Sequence, residues 1–213
     1  TVEEYLLYAL ECNIDTSYLI EYWRHGKWGR YKHFDFFNDD FYKPIVGVSY
    51  IDAQGFISWL SYKDGINYRL PSELEFEVSS RSGCNCILSC KMSKRLGVNE
   101  FRTSENDFLT VGRVMSNAKN SFGLYDMLGL IWQWCEDWYN VNDNRYSQLA
   151  NKEKPHQVVW NGKTFPETGR VIRGGSFSYS QEFSSCSNRH FSFENDRNFN
   201  VGFRLVFDEV INK

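Results

Sequence analysis

The apolar and polar positions near the start of the chain follow a helical period behind a capping pattern. Thr1 and Glu4 have the spacing of a capping box, in which each side chain bonds the backbone N–H of the other residue. The apolar residues that this pattern places on one helical face are Tyr5, Leu6, Ala9 and Leu10. The first element is therefore predicted to be a helix that packs against a core.

A second helix is predicted to begin at Ser49, with Asp52 as the weaker partner in its capping box. Its predicted inward residues are Ala53, Phe56, Ile57, Trp59 and Leu60. Asp64-Gly65 is predicted to end this helix, because glycine adopts the left-handed conformation that closes a helix.

A third helix is predicted to begin at Ser72, with Glu75 in the capping position. Its buried face is assigned to Leu74 and Val78 and its end to Gly83. All three predicted helices are short, so the chain needs other elements to complete its core.

Strand patterns are fewer and shorter. Residues 45–48, after Pro44, form an apolar run that predicts an edge strand or an extended segment. Residues 120–129 have the composition of a turn followed by a short helix. Residues 131–139 follow, and their alternation of Trp132 and Trp134 with polar partners predicts a half-buried strand. Residues 13–43 and 91–107 show no period and are predicted to be irregular.

Composition favours one soluble domain that spans residues 1–213, a length that is sufficient to bury a core. The formal net charge is -3 and no basic stripe is present, so nucleic acid is not the expected partner. No apolar run approaches the roughly 20 residues of a membrane span. A chain that begins at Thr1 without Met is expected to have lost residues upstream.

The six cysteines do not assign a compartment. Cys84, Cys86 and Cys90 lie close together, but their C-x-C-x3-C spacing lacks the C-x2-C pairing of common zinc sites. A zinc site and free or singly paired thiols on a loop both remain open for this cluster. Cys12, within the first predicted helix, is expected to be a small core residue.

The last fifth of the chain is the most distinctive region. Arg173-Gly174-Gly175-Ser176 opens it and residues 201–206 close it, and both ends have the composition of a scaffold. Between them, aromatic residues alternate with Ser and Asn in a pattern that is neither helical nor a sustained strand alternation. This mixture suits recognition, because rigid rings supply contact area while hydroxyls and amides adapt to a partner.

Five sequence blocks together resemble the domain of the formylglycine-generating enzyme, or sulfatase-modifying factor, family. The blocks are residues 44–49 with 52–53, 68–77, 120–129, 132–139, and 170–176 with 202–205. The resemblance implies an α+β, C-type-lectin-like fold with short helices, small twisted antiparallel sheets and much irregular loop. The family's usual opening strand before the first helix is absent from these residues, which predicts an upstream truncation.

The resemblance does not extend to the family's chemistry. Oxidase members hold copper with two cysteines five apart after the Arg-Gly-Gly-Ser block, and here that window contains Tyr179, Phe183 and Ser184. Only Cys186 remains, and it resembles the family's structural cysteine. The family's calcium block is altered at Leu130 and Gln133, so this calcium site is expected to be empty.

Other metal sites have weaker support. His25, His33, His156 and His190 lack close ligand spacing, so an iron enzyme is not expected. Asn99, Glu100 and Asp107 leave a structural calcium open in residues 98–112. No cofactor and no catalytic residue are predicted.

Within the family, the chain most resembles the variable proteins of diversity-generating retroelements, which display a mutable C-terminal surface. In that branch adenine mutagenesis of Asn codons yields Ser, Tyr, Phe, His, Asp and residual Asn. The residues in segment 177–200 that fit this spectrum, and that we predict to bind a ligand, are Ser178, Tyr179, Ser180, Phe183, Ser185, His190, Phe191, Ser192, Phe193 and Asn195.

The predicted function is therefore non-catalytic binding of an unknown protein or surface ligand. Tyr179, Phe183, Phe191 and Phe193 are the expected aromatic anchors, whereas Phe177 and Phe199 are expected to be buried. The alternatives are a non-oxidase enzyme or regulatory domain on the same scaffold, and a structural subunit of a surface assembly. Oligomeric state and localisation are not assigned by the sequence.

Several other conspicuous residues have structural explanations. The residues predicted to be core are Trp132, Trp134 and Trp138. Adjacent Glu136 and Asp137 would point to opposite faces of a strand, so they make a poor acid/base pair. The arginines expected in charge pairs with Glu75, Glu77 or Asp126 are Arg69, Arg173 and Arg204.

Overall fold

The structure is a computed structural model of the chain. It describes residues 1–19, 40–82, 111–116, 118–139, 158–160, 163–165, 168–178 and 184–208. The predictions that fall on Cys84, Cys86, Cys90 and the possible calcium ligands of residues 98–107 lie outside these residues. None of the helices in the described ranges is long and apolar enough to cross a membrane.

The described helices begin where the capping patterns predicted. They are α1 (Val2–Glu11), α2 (Tyr50–Asp64) and α3 (Glu73–Arg81), and each has a complete capping box at its start. Gly65 ends α2 at φ 69°, in the left-handed region. Helix α3 ends one residue before its predicted end, with Ser82 in the same left-handed conformation.

The buried face of α1 differs in part from the prediction. Tyr5 and Ala9 are buried as expected, but Leu10 is exposed and Tyr8 takes its place inside. The Tyr8 ring packs against Phe56 of α2 at a centroid distance of 5.6 Å, and the Tyr5 ring lies 6.0 Å from the same partner. Large rings bury more apolar area than leucine, so the aromatic contacts set the rotation of α1. Cys12, which caps the helix, is exposed, and its prediction as a core residue was wrong.

The buried face of α3 was predicted wrongly. Leu74 and Val78 are exposed, and Phe76 is the buried apolar residue. The side of α3 that faces the rest of the domain carries Glu73 and Glu77, which pair with arginines from the sheet. Positions i, i+3 and i+4 share one helical face, so these carboxylates and Phe76 turn inward together.

Four strands form the central sheet. They are β2 (Trp132–Trp138), β5 (Arg170–Arg173), β6 (Arg189–Ser192) and β7 (Val201–Gly202), in the order β6-β5-β2-β7. Strand β2 pairs antiparallel with β5 and parallel with β7, and β5 pairs antiparallel with β6. Two smaller antiparallel pairs are β1 (Tyr68–Arg69) with β8 (Val206–Phe207), and β3 (Val158–Trp160) with β4 (Lys163–Phe165).

Strand β2 is buried on both faces, so its prediction as a half-buried strand was wrong. On one face Trp132 and Trp134 pack with Ile172 and with residues of α2. On the other face Cys135 packs with Phe76 of α3 and other apolar residues. The alternate residues of β2 are thus covered by different helices, which is why polar Gln133 is also buried. The core prediction for Trp132, Trp134 and Trp138 is confirmed.

Residues 120–129 are turns without the predicted short helix. Asn120 organises this stretch, because its side-chain oxygen accepts from the N–H groups of Phe122 and Leu124, both at 3.0 Å. A side chain that bonds its own neighbouring backbone competes with helical bonding. Residues 45–48 are buried, but they form none of the strands of the described residues, and Gly47 bends the backbone there at φ 73°.

Candidate functional site

The site predicted from sequence lies in residues 177–200, which we call the recognition segment. Of this segment the structure describes 177, 178 and 184–200. It contains the outer strand β6 and a turn at residues 193–199, after which the chain enters β7. Tyr179, Ser180 and Phe183 lie outside the described residues, so their predicted contacts stay predictions.

The backbone of the segment just before β6 is held by Arg173, whose side chain is only 1% exposed. Its guanidinium donates to the main-chain oxygens of Cys186 (2.7 Å) and Asn188 (2.8 Å). It also donates to Glu77 Oε2 of α3 at 2.6 Å. One buried cation therefore joins the scaffold helix to the backbone that leads into β6. We call this set of contacts the base clamp.

Arg189 extends the base clamp by one more ion pair. Its Nε and Nη2 donate to the two carboxylate oxygens of Glu73, at 2.7 and 2.6 Å. Its guanidinium also lies 4.7 Å from the ring centre of Tyr139. A two-pronged arginine–carboxylate pair fixes orientation as well as distance, so β6 is held at a defined angle to α3.

The turn at residues 193–199 is organised by Asp196. Its Oδ2 accepts from Ser192 Oγ at 2.9 Å and from the Phe193 N–H at 3.0 Å. Ser192 Oγ in turn accepts from Asn198 Nδ2 at 2.8 Å. Ser192 is 5% exposed, so its predicted direct contact with a ligand does not agree with its buried position. Its hydroxyl is needed to close the turn.

The same turn is attached to α2. Tyr50 N–H, at the start of α2, donates to the Glu194 carbonyl at 3.1 Å, and Gly47 N–H donates to that of Asn198 at 3.0 Å. Arg197 forms a two-pronged pair with Asp52, at 2.8 and 2.9 Å. We call these contacts the tip clamp. The turn is therefore attached both to the start of α2 and to the segment just before it.

Ser178 and Ser185 were both predicted to bond a ligand, and both are half-buried. Ser178 Oγ lies 2.9 Å from Ser176 Oγ and accepts from Asn200 Nδ2 at 2.8 Å. Its hydroxyl therefore already has partners inside the domain. Ser185 Oγ lies 3.4 Å from Ser187 Oγ, a long contact that holds it more weakly.

The aromatic residues of β6, which were predicted to contact a ligand, also make contacts inside the domain. The Phe191 ring is 4.9 Å from that of Tyr139, and a Cβ added at Gly169 would approach it to 2.6 Å. His190 packs along the edge of the strand, with its Nδ1 2.8 Å from both the N and O of Phe191. Both side chains are half-buried.

Phe193 and Asn195 are the predicted contact residues that lie on the turn after β6. Phe193 is half-buried and its ring meets Phe191 edge-on at 5.8 Å, and Asn195 is exposed at the turn. Phe177 is buried, as predicted, whereas Phe199 is half-buried beside it at 6.0 Å. The described contact residues therefore do not form one uniform surface.

The described cysteines have no arrangement for thiolate chemistry. Cys186 is disulfide-bonded, and its partner lies outside the described residues. Cys135 is buried, and burial raises its pKa well above that of an ordinary thiol. A nucleophilic or metal-binding cysteine must be a thiolate, so Cys135 is unsuited to that role. The parts of the chain that the structure describes contain no group of three or more metal-ligating side chains.

Gln133 and Leu130, the altered positions of the calcium block, serve the core. Leu130 is buried in the cluster around α1 and α2. Gln133 Oε1 accepts from Arg204 Nε, while its Nε2 donates to the Asp126 carbonyl at 3.2 Å. The side chain of Gln133 therefore bonds two neighbouring segments of the domain.

Asp137 and Glu136 do not form an acid/base pair. Asp137 is buried, and burial raises its pKa. Its Oδ2 accepts the Glu73 N–H at 2.6 Å, at the start of α3. Glu136 is half-buried on the opposite side of the strand. Asp137 thus supports a helix end.

The predicted arginine pairs are confirmed for Arg69 and Arg173. Arg69 bonds both oxygens of Glu75 at 2.7 Å, and Arg173 bonds Glu77. Arg204 instead donates to neutral oxygens, including the main-chain oxygens of Tyr125 and Asp126, both at 3.1 Å. Burial lowers the Arg204 pKa to about 10.

Comparison with known proteins assigns the family. Residues 15–209 match the model of the sulfatase-modifying factor enzyme 1-like domain. The chain belongs to this family. It is 31% identical over 168 residues to the serine/threonine-protein kinase pkn1 of Chlamydia pneumoniae, which covers 76% of this chain and 24% of the kinase. It is 29% identical over 148 residues to the formylglycine-generating enzyme of Thermomonospora curvata, with 63% and 44% covered.

The chain thus spans about a quarter of the kinases and under half of that enzyme. Two solved structures are similar to it. PvdO from Pseudomonas aeruginosa has a TM-score of 0.63 at 27% identity, covering 79% of this chain and 63% of PvdO. Treponema denticola variable protein 1 has a TM-score of 0.60 at 20% identity, covering 77% and 70%. The predicted α+β, C-type-lectin-like fold is confirmed by these neighbours.

Sequence reasoning missed the residues that hold the recognition segment in place. Asp196 and Arg197 stand in the segment but were not among the predicted ligand-binding residues, and no role was predicted for Glu73. The Asn195-Asp196-Arg197 triplet was an available signal for a side-chain-closed turn, because Asn and Asp favour such turns. The arginine partners lie 145 and 116 residues away in sequence, and no local pattern identifies them.

Proposed function

We propose that this chain is a non-catalytic recognition domain that presents replaceable side chains of its C-terminal segment to a protein ligand. The observation that carries the proposal is the pair of clamps. They attach the backbone on both sides of Phe193 and Asn195, and neither side chain takes part in the clamps. A rigid backbone with uncommitted side chains permits a change of partner without a loss of fold.

The proposed contact set is narrower than the sequence prediction. Asn195 and Phe193 form its centre, with Ser185 at the periphery, and Tyr179, Ser180 and Phe183 are proposed members from sequence alone. His190 and Phe191 contribute their outer surfaces. Ser178 and Ser192 support the segment through internal hydrogen bonds.

The chemistry of the site favours binding over oxidation. An oxidase of this family requires two cysteines that converge on copper. In the described part of the segment the one cysteine is Cys186, which is already in a disulfide. The similarity to Treponema denticola variable protein 1 supports a shared scaffold, and our proposal of diversified recognition rests on the composition of the segment and its attachment.

The relatives favour a second candidate, a regulatory domain within a larger protein. The matched region is only 24% of the Chlamydia pneumoniae kinase, so domains of this family occur as parts of multidomain proteins. In that case the segment would bind one fixed partner. The two candidates differ in whether the surface varies between copies of the gene.

The DNA around the gene distinguishes the two candidates. Diversified recognition predicts a reverse-transcriptase gene nearby and a near-repeat of the DNA for residues 177–200 that differs at adenines. A gene without either feature contradicts diversification and favours a fixed partner. Stoichiometric copper or iron in the purified protein would overturn a purely binding role.

Tolerance to substitution tests the display surface directly. One phage-displayed library randomises Ser185, Phe193 and Asn195, and a matched library randomises the buried residues Phe177, Ser192 and Asn200. Protease resistance reports folding. We expect most members of the first library and few of the second to resist digestion. Equal survival of the two libraries would contradict the proposed surface.

A further inference from the structure

The side chain of Arg197 joins the tip of the recognition segment to the first turn of α2, beside the main-chain bond from Tyr50 to Glu194. Arg197 Nε and Nη2 donate to the two oxygens of Asp52, at 2.8 and 2.9 Å. Asp52 Oδ2 also accepts the Ser49 N–H at 2.9 Å, as part of the α2 capping box. The capping box of α2 therefore fixes the Asp52 carboxylate, and this carboxylate in turn orients the Arg197 guanidinium.

A second contact restrains the same side chain. The Arg197 guanidinium lies 4.3 Å from the ring centre of Tyr18, a distance at which a cation is attracted to the ring face. The guanidinium thus has a carboxylate in its plane and a ring against its face. Two contacts of different geometry restrict both its position and its rotation.

The main-chain bonds between the tip and the scaffold lie close to Arg197 in sequence. They join Tyr50 to Glu194 and Gly47 to Asn198, at 3.1 and 3.0 Å. Arg197 stands between these two acceptors, so its pairing holds the turn where both bonds form. The side chain is 42% exposed, and an ion pair with an exposed member contributes little to global stability.

A small global contribution can still control a local equilibrium. Loops open with free energies far below that of global unfolding, so even a weak ion pair is a large part of the energy that holds a turn closed. Phe193 and Asn195 lie on this turn, and its closure decides the direction in which they point. If the turn opens, the segment has more conformations, and a ligand that binds one of them must order the rest, which weakens its affinity.

We propose that Arg197 is a positioning residue, which fixes the turn so that Phe193 and Asn195 meet a protein ligand in one orientation. The inference rests on the proposed recognition function. Arg197 need not touch the ligand, and its effect passes through Asp52 and α2. The residue is thus kept while its neighbours in the segment are exchanged.

Amide hydrogen exchange tests the positioning role without any ligand. The variants are Arg197→Gln and Arg197→Lys, and Arg113→Gln is the matched control. Arg113 is also an exposed arginine, paired with Asp40 at 2.7 Å and 5.7 Å from the Tyr42 ring centre, and it lies outside the segment. We expect exchange at residues 193–198 and at Tyr50 to rise about two- to fivefold in Arg197→Gln, with an unchanged melting temperature.

Arg197→Lys should show a smaller increase, because lysine keeps the charge but cannot form the two-pronged pair. Arg113→Gln should leave exchange at residues 193–198 unchanged. Unchanged exchange in Arg197→Gln would overturn the proposal. An equal rise across α2 and β2 would also overturn it, because that pattern indicates a general structural role.

Binding provides the second measurement. A member of the Ser185, Phe193 and Asn195 library selected against lysozyme serves as the probe. Adding Arg197→Gln should weaken its lysozyme affinity about two- to fivefold, whereas Arg113→Gln should not. Equal affinity would overturn the positioning role. A library that yields no binder to lysozyme or to any other panned protein contradicts the recognition function instead, and the exchange result still decides the role of Arg197.

Discussion

The two clamps of the recognition segment use the same ion-pair chemistry at different depths. At the base, Arg173 is almost completely enclosed; it hydrogen-bonds the Glu77 carboxylate and two main-chain oxygens, and its Nε lies 3.7 Å from Glu73 Oε1. At the tip, Arg197 is substantially exposed and bonds one carboxylate. Removing one member of a buried pair leaves desolvated groups without partners, whereas water replaces an exposed partner. The base therefore supports the fold, and the tip supports only the local conformation.

This difference explains how one domain can be stable and still tolerate change at its surface. The base clamp connects α3 to the backbone before β6, so its loss affects two elements. The tip clamp connects α2 to a turn of a few residues. Exchangeable side chains are best placed on the turn, because a substitution that destabilises the turn opens it locally and leaves the rest of the domain folded.

The largest expected effect is at the base. Arg173→Met should lower the free energy of unfolding by about 3–5 kcal/mol, because it leaves the Cys186 and Asn188 carbonyls buried without their donor. Urea denaturation followed by tryptophan fluorescence measures the change. The exposed pair of Arg113 with Asp40 provides the control, and Arg113→Gln should cost no more than about 1 kcal/mol. If the two variants lose similar amounts of free energy of unfolding, the proposed distinction between buried and exposed ion pairs is wrong.

Phe191 and Phe193 offer a sharper comparison two residues apart. Phe191→Ser should cost about 1–3 kcal/mol, because the ring packs against Tyr139 and closely over Gly169. Phe193→Ser should cost less, about 0.5–1 kcal/mol, because its half-buried ring meets Phe191 edge-on at the turn. Thermal melting of both variants under one condition gives the ordering. If Phe193→Ser proves the more damaging, Phe193 belongs to the core and cannot serve as an exchangeable contact.

Acid should weaken the attachment of α3. Hydrogen bonding from Arg69 lowers the pKa of Glu75 to about 2, from an ordinary value of 4.5. Because the folded-state pKa is depressed, this stabilisation is complete above about pH 4.5 and is lost as the pH falls towards 2. Melting temperatures across this range should fall more steeply for the wild type than for Glu75→Gln. Parallel curves would show that other carboxylates dominate the acid response.

The smallest expected effect is at the exposed turn position. Asn195→Tyr should leave the melting temperature within about 1 °C of the wild type, since surface substitutions away from special features change stability little. Asp196→Ala is the contrasting variant, because Asp196 accepts from both Ser192 and the Phe193 N–H. It should lower the melting temperature by several degrees. A comparable loss in Asn195→Tyr would indicate that the whole turn is structural.

Local signals predicted the helix starts, and longer-range contacts decided which faces are buried. Ser72 with Glu75 defines the start of α3 because both partners lie within one helical turn. The inward face of α3 could not be predicted in the same way. It is set by Arg173 and Arg189, about 100 residues later, which draw Glu73 and Glu77 inward and leave Leu74 outside.

By itself the sequence determined the helix starts, the aromatic core of β2, the family fold and the location of a polar–aromatic C-terminal segment. Capping depends on residues within one helical turn, and composition and the order of the blocks can be read along the chain without knowledge of the fold. Only the tertiary structure decided that Ser192 is internal, that Asn195 is exposed and that two arginines hold the segment from different sides. Those outcomes depend on which distant residues contact each other in the fold. Arg197 and Asp52 are 145 positions apart, so no local sequence pattern predicts their pairing.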